Sequence, residues 1–291
     1  MIADLHTHST ASDGTESPAE LLRSAVAAGV DVLALTDHDT VRGWEQASAG
    51  LTELGPGTGL QLVLGAEISC AHDDISLHLL AYLFDPSHEA LAAEMAAAFD
   101  DRVPRAKAIV GKLADAGYDL TWDGVMAQVG AGATVGRPHI ADAMVAAGIV
   151  RDRTEAFDDF IHDDSPYFVG HYYVDAVEAV RLVRAAGGVP VFAHPAAAKR
   201  GRTVDDAAIV AMAEAGLAGI EVDHRDNPPE SRVHLRGLAA ELDLLVTGAS
   251  DYHGAGKDNR LGEHTTDPDV LAALLGQASG VTPVLSPAAA Q

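Results

Sequence analysis

The chain has 291 residues, 48% of them hydrophobic and 21% charged, with 43 acidic against 19 basic side chains and a formal net charge of −24. This excludes a disordered or fibrous chain and provides core for one large domain or two modest ones. The acid excess excludes a broad nucleic-acid surface, because long phosphate backbones are held by many Lys and Arg contacts, so the charge of any phosphate ligand must be met locally by metal ions or a few arginines.

Residues 2–5 read as a short buried strand. Continued to His8, its period of two puts His6 and His8 on one face. Asp13 follows in a Ser-Asp-Gly turn. Ser17-Pro18-Ala19-Glu20 is a helix start, and the helix runs to a stop at Gly29. A mostly apolar strand at 30–36, of the kind buried on both faces of a parallel sheet, ends at Asp37-His38-Asp39. A helix near 41–51 leads to strands at 60–69, carrying Glu67, and 75–83, carrying His78. From 87 to 164 the rhythm gives way to helices at 89–116, 121–129, 137–147 and 154–161. It resumes with a helix at 174–186 and a strand at 189–193 ending in His194. A helix at 205–215, a strand at 218–222, a helix at 229–242 and a strand at 244–247 bring the chain to Asp251-Tyr252-His253. A helix at 268–275 comes last, and the chain after Ala278 reads as frayed.

This pattern predicts an α/β fold, a distorted (β/α)7 TIM-like barrel formed by residues 1–86 and 165–278. Residues 87–164 are expected as an inserted helical cap and 279–291 as a tail. No apolar run reaches the ~18 residues of a membrane span. The N-terminus has neither the basic nor the apolar region of a cleaved signal. The single cysteine, Cys70, offers no disulfide framework and no thiolate metal site. A cytoplasmic protein is the expectation; the sequence carries no signal of oligomeric state.

Each histidine or carboxylate has an ordinary explanation when taken singly. His38 can be a turn residue or helix cap, His78 and His194 can be satisfied core histidines, and Glu67 needs a partner if buried. Their placement argues against coincidence. His6/His8, His38, Glu67, His194 and Asp251/His253 fall at or just beyond the C-terminal ends of strands, which converge on one face of a barrel. Six histidines, two aspartates and a glutamate exceed what one ion requires, since a catalytic site takes about three protein ligands and leaves a position for water. Nitrogen and carboxylate donors without thiolates suit Zn, Mn or Fe.

His6-Thr-His8, Thr36-Asp-His38, Glu67, His78, Ala193-His194-Pro195 and Ser250-Asp251-Tyr-His253-Gly together resemble the polymerase and histidinol phosphatase (PHP) family of metal-dependent phosphoesterases over nearly the whole chain. The resemblance implies a trinuclear site, with two to three divalent ions. One would take His6, His8, Glu67 and Asp251, a second Glu67, His78 and His194, and a third Asp13, His38 and His253. Some branches have histidine where Asp13 stands, which alters the charge of the third site. The helical insertion and Gly136-Arg137-Pro138-His139 are most similar to the branch of stand-alone nucleotide phosphoesterases, which act on 3′,5′-bisphosphonucleosides or short 5′-phosphorylated RNA.

Pro138 in a first helical turn leaves Arg137 and His139 near the positive helix end, an arrangement suited to phosphate. Arg102, Arg105, Lys112 and Arg202 are further phosphate candidates. The expected reaction is hydrolysis of a phosphate monoester by metal-activated water, with Arg137 offsetting phosphoryl charge. Glu67, His194, His253, Arg137 and His139 are the candidate catalytic residues. The expected partner is a small phosphorylated compound, with no membrane and no extended nucleic acid. Histidinol phosphate is the alternative substrate within the family. Outside it stand an amidohydrolase cleaving C–N bonds and a non-catalytic metal-stabilised module. The first commonly uses a bridging carboxylated lysine, and Lys107, Lys112, Lys199 and Lys257 do not lie at strand ends in the expected way.

Overall fold

The structure is a computed structural model that describes residues 1–55, 57–130, 134–162 and 164–285. The first part of the chain forms β1 (Ala3–Thr7), α1 (Pro18–Ala27), β2 (Val32–Leu35), α2 (Trp44–Glu53), β3 (Gln61–His72) and β4 (Ile75–Tyr82). The helices α3 (Glu89–Asp115), α4 (Trp122–Met126), α5 (Arg137–Ala146) and α6 (Arg153–Asp159) follow. Next come β5 (Val174–Asp175), α7 (Ala176–Ala185), β6 (Val189–Phe192), α8 (Asp206–Glu214) and β7 (Gly219–Asp223). The chain ends with α9 (Pro229–Glu241), β8 (Leu245–Gly248), α10 (Pro268–Leu275) and β9 (Val284–Leu285). Helix α1 starts as its sequence dictates, with Ser17 and Glu20 in a reciprocal capping box and Pro18 in the first turn.

Seven strands run in the order β1-β2-β3-β4-β6-β7-β8. The sheet comes back on itself where Thr7 bridges Tyr252 in parallel and the His8 N–H donates to the Tyr252 carbonyl at 2.9 Å. The result is a nearly closed barrel of the expected class. Alternation along the strands sorts the core into two layers. Leu33, Leu35, Leu62 and Leu64 pack with Leu21, Leu22 and Leu51 of the surrounding helices. Val32, Ala34, Val63, Leu80 and Val191 form an inner cluster, to which α10 contributes Leu271 and Leu274. Glu67 shares the face of Val63, and His78 the face of Leu80, so both polar side chains continue the inner cluster.

The strict strand–helix rhythm fails in one place. β3 and β4 are joined directly, with Asp73 and Asp74 in left-handed conformation at φ 46° and 61°. Aspartate tolerates this geometry, and such two-residue turns make hairpins. β4 is therefore antiparallel to both β3 and β6. This explains two departures from the expected placement of ligands: Glu67 lies within a twelve-residue strand, and His78 reaches the others from the early part of a reversed strand.

The helix expected at 174–186 begins two residues later. Val174 and Asp175 pair with β3, and the Asp175 carboxylate accepts the N–H groups of Val177 and Glu178 as the N-cap. The stretch expected to fray after Ala278 is ordered as far as it is described. The Ser279 and Gly280 N–H groups donate to the Gly187 carbonyl, and Val284 pairs antiparallel with Leu62. Leu113, Val125, Ile140, Met144 and Ile161 of the 87–164 region form a third hydrophobic cluster of their own. No helix among the described residues is long and apolar enough to cross a membrane.

Candidate metal centre and phosphate cavity

The turn carrying Asp13 is fastened to the end of β2. Asp37 Oδ1 accepts the Ser9 N–H at 2.8 Å and the Ser12 hydroxyl at 2.6 Å, while Oδ2 accepts the Ser9 hydroxyl at 2.7 Å. Gly14 allows the turn to close, since a Cβ there would lie 2.5 Å from the His8 carbonyl oxygen. Beyond His38, Asp39 accepts the N–H and hydroxyl of Ser69 and pairs with Arg102. Asp39, His194 and Asp251 all have left-handed backbones, with φ of 52°, 32° and 54°. Non-glycine residues hold such conformations only where the surroundings enforce them, and they concentrate at functional sites.

The donors form three overlapping groups. At the deep end, His6 Nε2 and His8 Nε2 lie 3.1 Å apart, and each stands 3.1 to 3.4 Å from Glu67 Oε2 and Asp251 Oδ1. Four donors around a tetrahedral ion at about 2.0–2.1 Å are roughly 3.3 Å apart, so this spacing fits a metal without rearrangement. In the middle, His78 Nδ1 lies 2.8 Å and His194 Nε2 3.1 Å from Glu67 Oε1, with His38 Nδ1 3.3 Å from Oε2. At the rim, His253 Nε2 lies 3.3 Å and His8 Nδ1 3.7 Å from Asp13 Oδ1, and His38 Nε2 lies 3.9 Å from Asp13 Oδ2, so His8 borders the deep and rim groups alike. All nine predicted ligands are thus brought together, with Glu67 common to the deep and middle groups and His38 between the middle and the rim. The buried His38 Nδ1, His78 Nδ1 and His253 Nε2 make no well-formed hydrogen bond. Lone pairs aimed at a shared cation account for such atoms, which are costly if left unsatisfied.

Electrostatics divides the cluster. Burial opposes charge on His8, yet the Asp251 and Glu67 carboxylates raise its pKa to about 9. Burial also opposes charge on His6, and Glu67, Glu221 and Asp251 raise it well above the usual histidine range. At His38 burial prevails and lowers the pKa to about 3; at His253 burial, aided by Lys257, lowers it to about 4. Burial works against ionisation of Glu67 and Asp13, but the surrounding imidazoles hold both carboxyls well below their usual range.

A cavity of about 1070 Å³ adjoins the cluster, and Asp13, His38 and His78 form part of its wall. The rest of the wall carries Arg102, Arg105, Arg137, Arg153, Lys199, Arg225 and Lys257, with Asp152, Asp158, Asp226 and Asp258 among them. A chain of net charge −24 thereby gathers basic side chains beside its candidate metal site. Arg102 lies between Asp39 and the cavity, and Arg105 donates to the Val169 carbonyl at 2.9 Å. Arg137 opens α5, donates to the Ile161 carbonyl at 3.1 Å and stands 5.8 Å from the Phe157 ring centre.

Three sequence-predicted phosphate candidates are placed differently. His139 is buried behind the wall, its Nδ1 accepting the Gly136 N–H at 3.0 Å, and burial lowers its pKa. Lys112 is spent on the Phe168 carbonyl at 2.6 Å and does not line the cavity. Arg202 donates to the Asp74 carbonyl and lines only a smaller pocket of about 80 Å³ behind His78 and His194.

Sequence reading passed over several residues that the structure draws in. His224 is fully buried, with its Nε2 3.7 Å from Asp251 Oδ2 and its ring 5.2 Å from that of His194. It lies just beyond β7, where the strand-end rule would have found it. Glu221 sits inside that apolar strand and is as buried as Glu67, so the cost of burying a carboxylate was its signal. Lys257, 3.0 Å from Asp251 Oδ2, and Arg153, paired with Asp142, belong to segments with no local pattern to mark them.

Barrel, clustered His/Asp/Glu donors and an adjoining arginine-bearing cavity are those of a metal-dependent hydrolase. Comparison with known proteins narrows the class. Residues 4–105 match the PHP domain. A 3′,5′-nucleoside bisphosphate phosphatase of Chromobacterium violaceum is 32% identical over 265 residues, 91% of each chain. A 5′-3′ exoribonuclease of Haemophilus influenzae is 34% identical over 250 residues, 86% of this chain and 89% of that one. A crystal structure from Bifidobacterium adolescentis, assigned as a metal-dependent phosphoesterase, superposes with a TM-score of 0.89 at 43% identity, covering 95% of this chain and 96% of that one. The chain belongs to the PHP family. It is a hydrolase of phosphoesters that uses divalent metal, and the C–N-cleaving and non-catalytic alternatives give way to that assignment.

Proposed function

We propose that the protein removes a phosphate monoester from a nucleotide, either a 3′,5′-bisphosphonucleoside or the 5′ end of a short oligonucleotide. The observation that carries this reading is a cavity beside the donor cluster whose wall holds more basic than acidic side chains, in a chain with more than twice as many acids as bases. Its volume suits a small phosphorylated ligand, whereas a long nucleic acid would meet a repelling acidic surface. The two relatives act, by name, on a nucleoside bisphosphate and on RNA from its 5′ end, and both chemistries present a terminal phosphate to one site. The single cysteine, Cys70, is buried and free, in keeping with a cytoplasmic enzyme.

Two to three ions, of Mn, Zn or Fe, would be held by His6, His8, Glu67 and Asp251, by Glu67, His78 and His194, and by Asp13, His38 and His253. When bound, such ions polarise phosphoryl oxygens and bring the pKa of water from 15.7 to about 7. The protein supplies the rest. Glu67 holds the deep and middle groups in register through its two oxygens. Arg137, with Arg102 and Arg105, orients the phosphate and offsets its charge. His139, whose Nδ1 accepts the Gly136 N–H, holds the start of the helix that carries Arg137 from behind the wall. His194 and His253 act as ligands.

Phosphate release from a panel holding 3′,5′-bisphosphonucleosides, 5′-phosphorylated di- and trinucleotides and histidinol phosphate, with and without Mn²⁺, tests the reading. Turnover of histidinol phosphate alone would overturn it.

A further inference from the structure

Glu221 is fully buried on β7 and contributes to none of the three donor groups. Its two oxygens nevertheless reach two of the candidate metal ligands, His6 on β1 and His194 in the turn after β6. Oε1 lies 2.9 Å from His6 Nδ1, and Oε2 accepts the backbone N–H of His194 at 2.9 Å. The strand segment is itself anchored: Asn227 Nδ2 donates to the Glu221 and Val222 carbonyls at 3.0 and 3.1 Å, and Asn227 Oδ1 accepts the Ala196 N–H at 3.0 Å. One hydrogen-bonded unit therefore ties β7 to the end of β1 and to the turn after β6.

The chemistry of this unit is directional. A carboxylate only accepts, so Glu221 holds a proton on His6 Nδ1, and the proton that His6 gives up when it takes an ion is the one on Nε2, the atom 3.1 and 3.4 Å from Glu67 Oε2 and Asp251 Oδ1. The same group holds the N–H of His194, whose backbone has the left-handed φ of 32°. We infer that Glu221 is a positioning residue that fixes the His6 tautomer and the His194 turn, so that retention of the deep ion depends on it. This rests on the metal-dependent reading above and adds a residue to it.

Glutamine is the sharp substitution because it keeps the shape and breaks the symmetry. If its oxygen accepts from His194, its NH₂ faces His6 Nδ1 and drives that proton to Nε2, blocking the metal-facing lone pair. If its oxygen accepts from His6, the NH₂ opposes the His194 N–H. No orientation satisfies both.

The test is Mn²⁺ titration of the full chain, read by electron paramagnetic resonance, with Glu221→Gln introduced into His253→Ala and His6→Ala backgrounds. In His253→Ala, where the deep ion remains, Glu221→Gln should weaken Mn²⁺ binding by about 10–100-fold, the usual effect of removing a partner behind a metal-binding histidine. In His6→Ala, where the tautomer no longer matters, it should change binding of the remaining ions by less than about threefold, as expected of a cycle whose coupling has been removed. Equal loss in both backgrounds would mark Glu221 as merely structural and overturn the inference, as would no loss in either. Glu221→Asp keeps both acceptor oxygens and should recover part of the affinity; a loss as great as that of Glu221→Gln also overturns it. A wild-type chain that binds no Mn²⁺ would bring down the metal reading itself, a different result from a wild type that binds and a variant that is unaffected.

Discussion

The deep and rim ends of the candidate metal centre are built from the same residue types and hold their protons in opposite ways. His6 and His8 face Glu67 and Asp251 at 3.1 to 3.4 Å, and those carboxylates overcome burial to keep the imidazoles charged in the metal-free chain. His38 and His253 have neighbouring imidazoles or Lys257 among their surroundings; burial wins, and both are neutral near pH 7. The deep end must therefore shed protons to take an ion, whereas the rim offers ready lone pairs. Placement of acids against bases, more than the choice of ligand residue, sets how each end competes for metal.

Removing the carboxylate common to the deep and middle groups should have the largest effect. Glu67→Ala is expected to lose metal from both and to cut phosphate release by about 10³-fold or more, some 4 kcal/mol in the barrier. Full activity in a metal-depleted Glu67→Ala protein would contradict the mechanism. Next comes the asymmetry between ends: His6→Ala should cost about 10²–10³-fold in kcat, and His253→Ala about tenfold less than that. A reversed order, measured with metal content by mass spectrometry, would mean that the rim ion is the indispensable one.

The pH response sharpens the same contrast. An ion at the deep end displaces the proton of His8, whose pKa is about 9, so affinity there should rise about tenfold per pH unit for each proton displaced between pH 6 and 9. At the rim, His38 and His253, with pKa values of about 3 and 4, have no proton to displace, and affinity should rise less steeply over that range. Calorimetric Mn²⁺ titrations in buffers of different ionisation enthalpy, using His253→Ala and His6→Ala chains, count the protons directly. The smallest effects belong to the cavity wall. Arg137→Ala should raise KM by about 10–100-fold, corresponding to a charged hydrogen bond of roughly 1.5–3 kcal/mol, while Lys112→Ala should stay within about twofold. Equal sensitivity of the two would remove the basis for assigning phosphate to Arg137.

Much of the barrel was legible because buried parallel strands announce themselves as apolar runs, and helix α1 because Ser17, Pro18 and Glu20 spell out its start. His6, His8, His38, His194, Asp251 and His253 stood out once strand ends were treated as one face. The reversal of β4 was not legible, since the Asp73-Asp74 turn is too short to weigh against a repeating strand–helix pattern. The phosphate side was read less well. Arg105 and Lys112 look alike in sequence, and only packing decides that one lines the cavity while the other donates to Phe168. Glu221 and Asp37 were missed because their work is done on other side chains, across long stretches of chain that no local window spans.

The barrel closes by joining its two ends: the Ser250 N–H meets Asp4 Oδ1 at 2.9 Å across 246 residues of sequence, and His6 meets Asp251 beside it. An ion shared by His6 and Asp251 is thus a reversible crosslink spanning nearly the whole polypeptide. The entropy of closing so long a loop exceeds that of a ten-residue one by about 3 kcal/mol, from the logarithmic dependence on length. With the ion held by this pair, free metal concentration would act as a dial on the folding equilibrium as well as on turnover, and a chelator should loosen the first strand from the last before it disturbs the helices of the insertion.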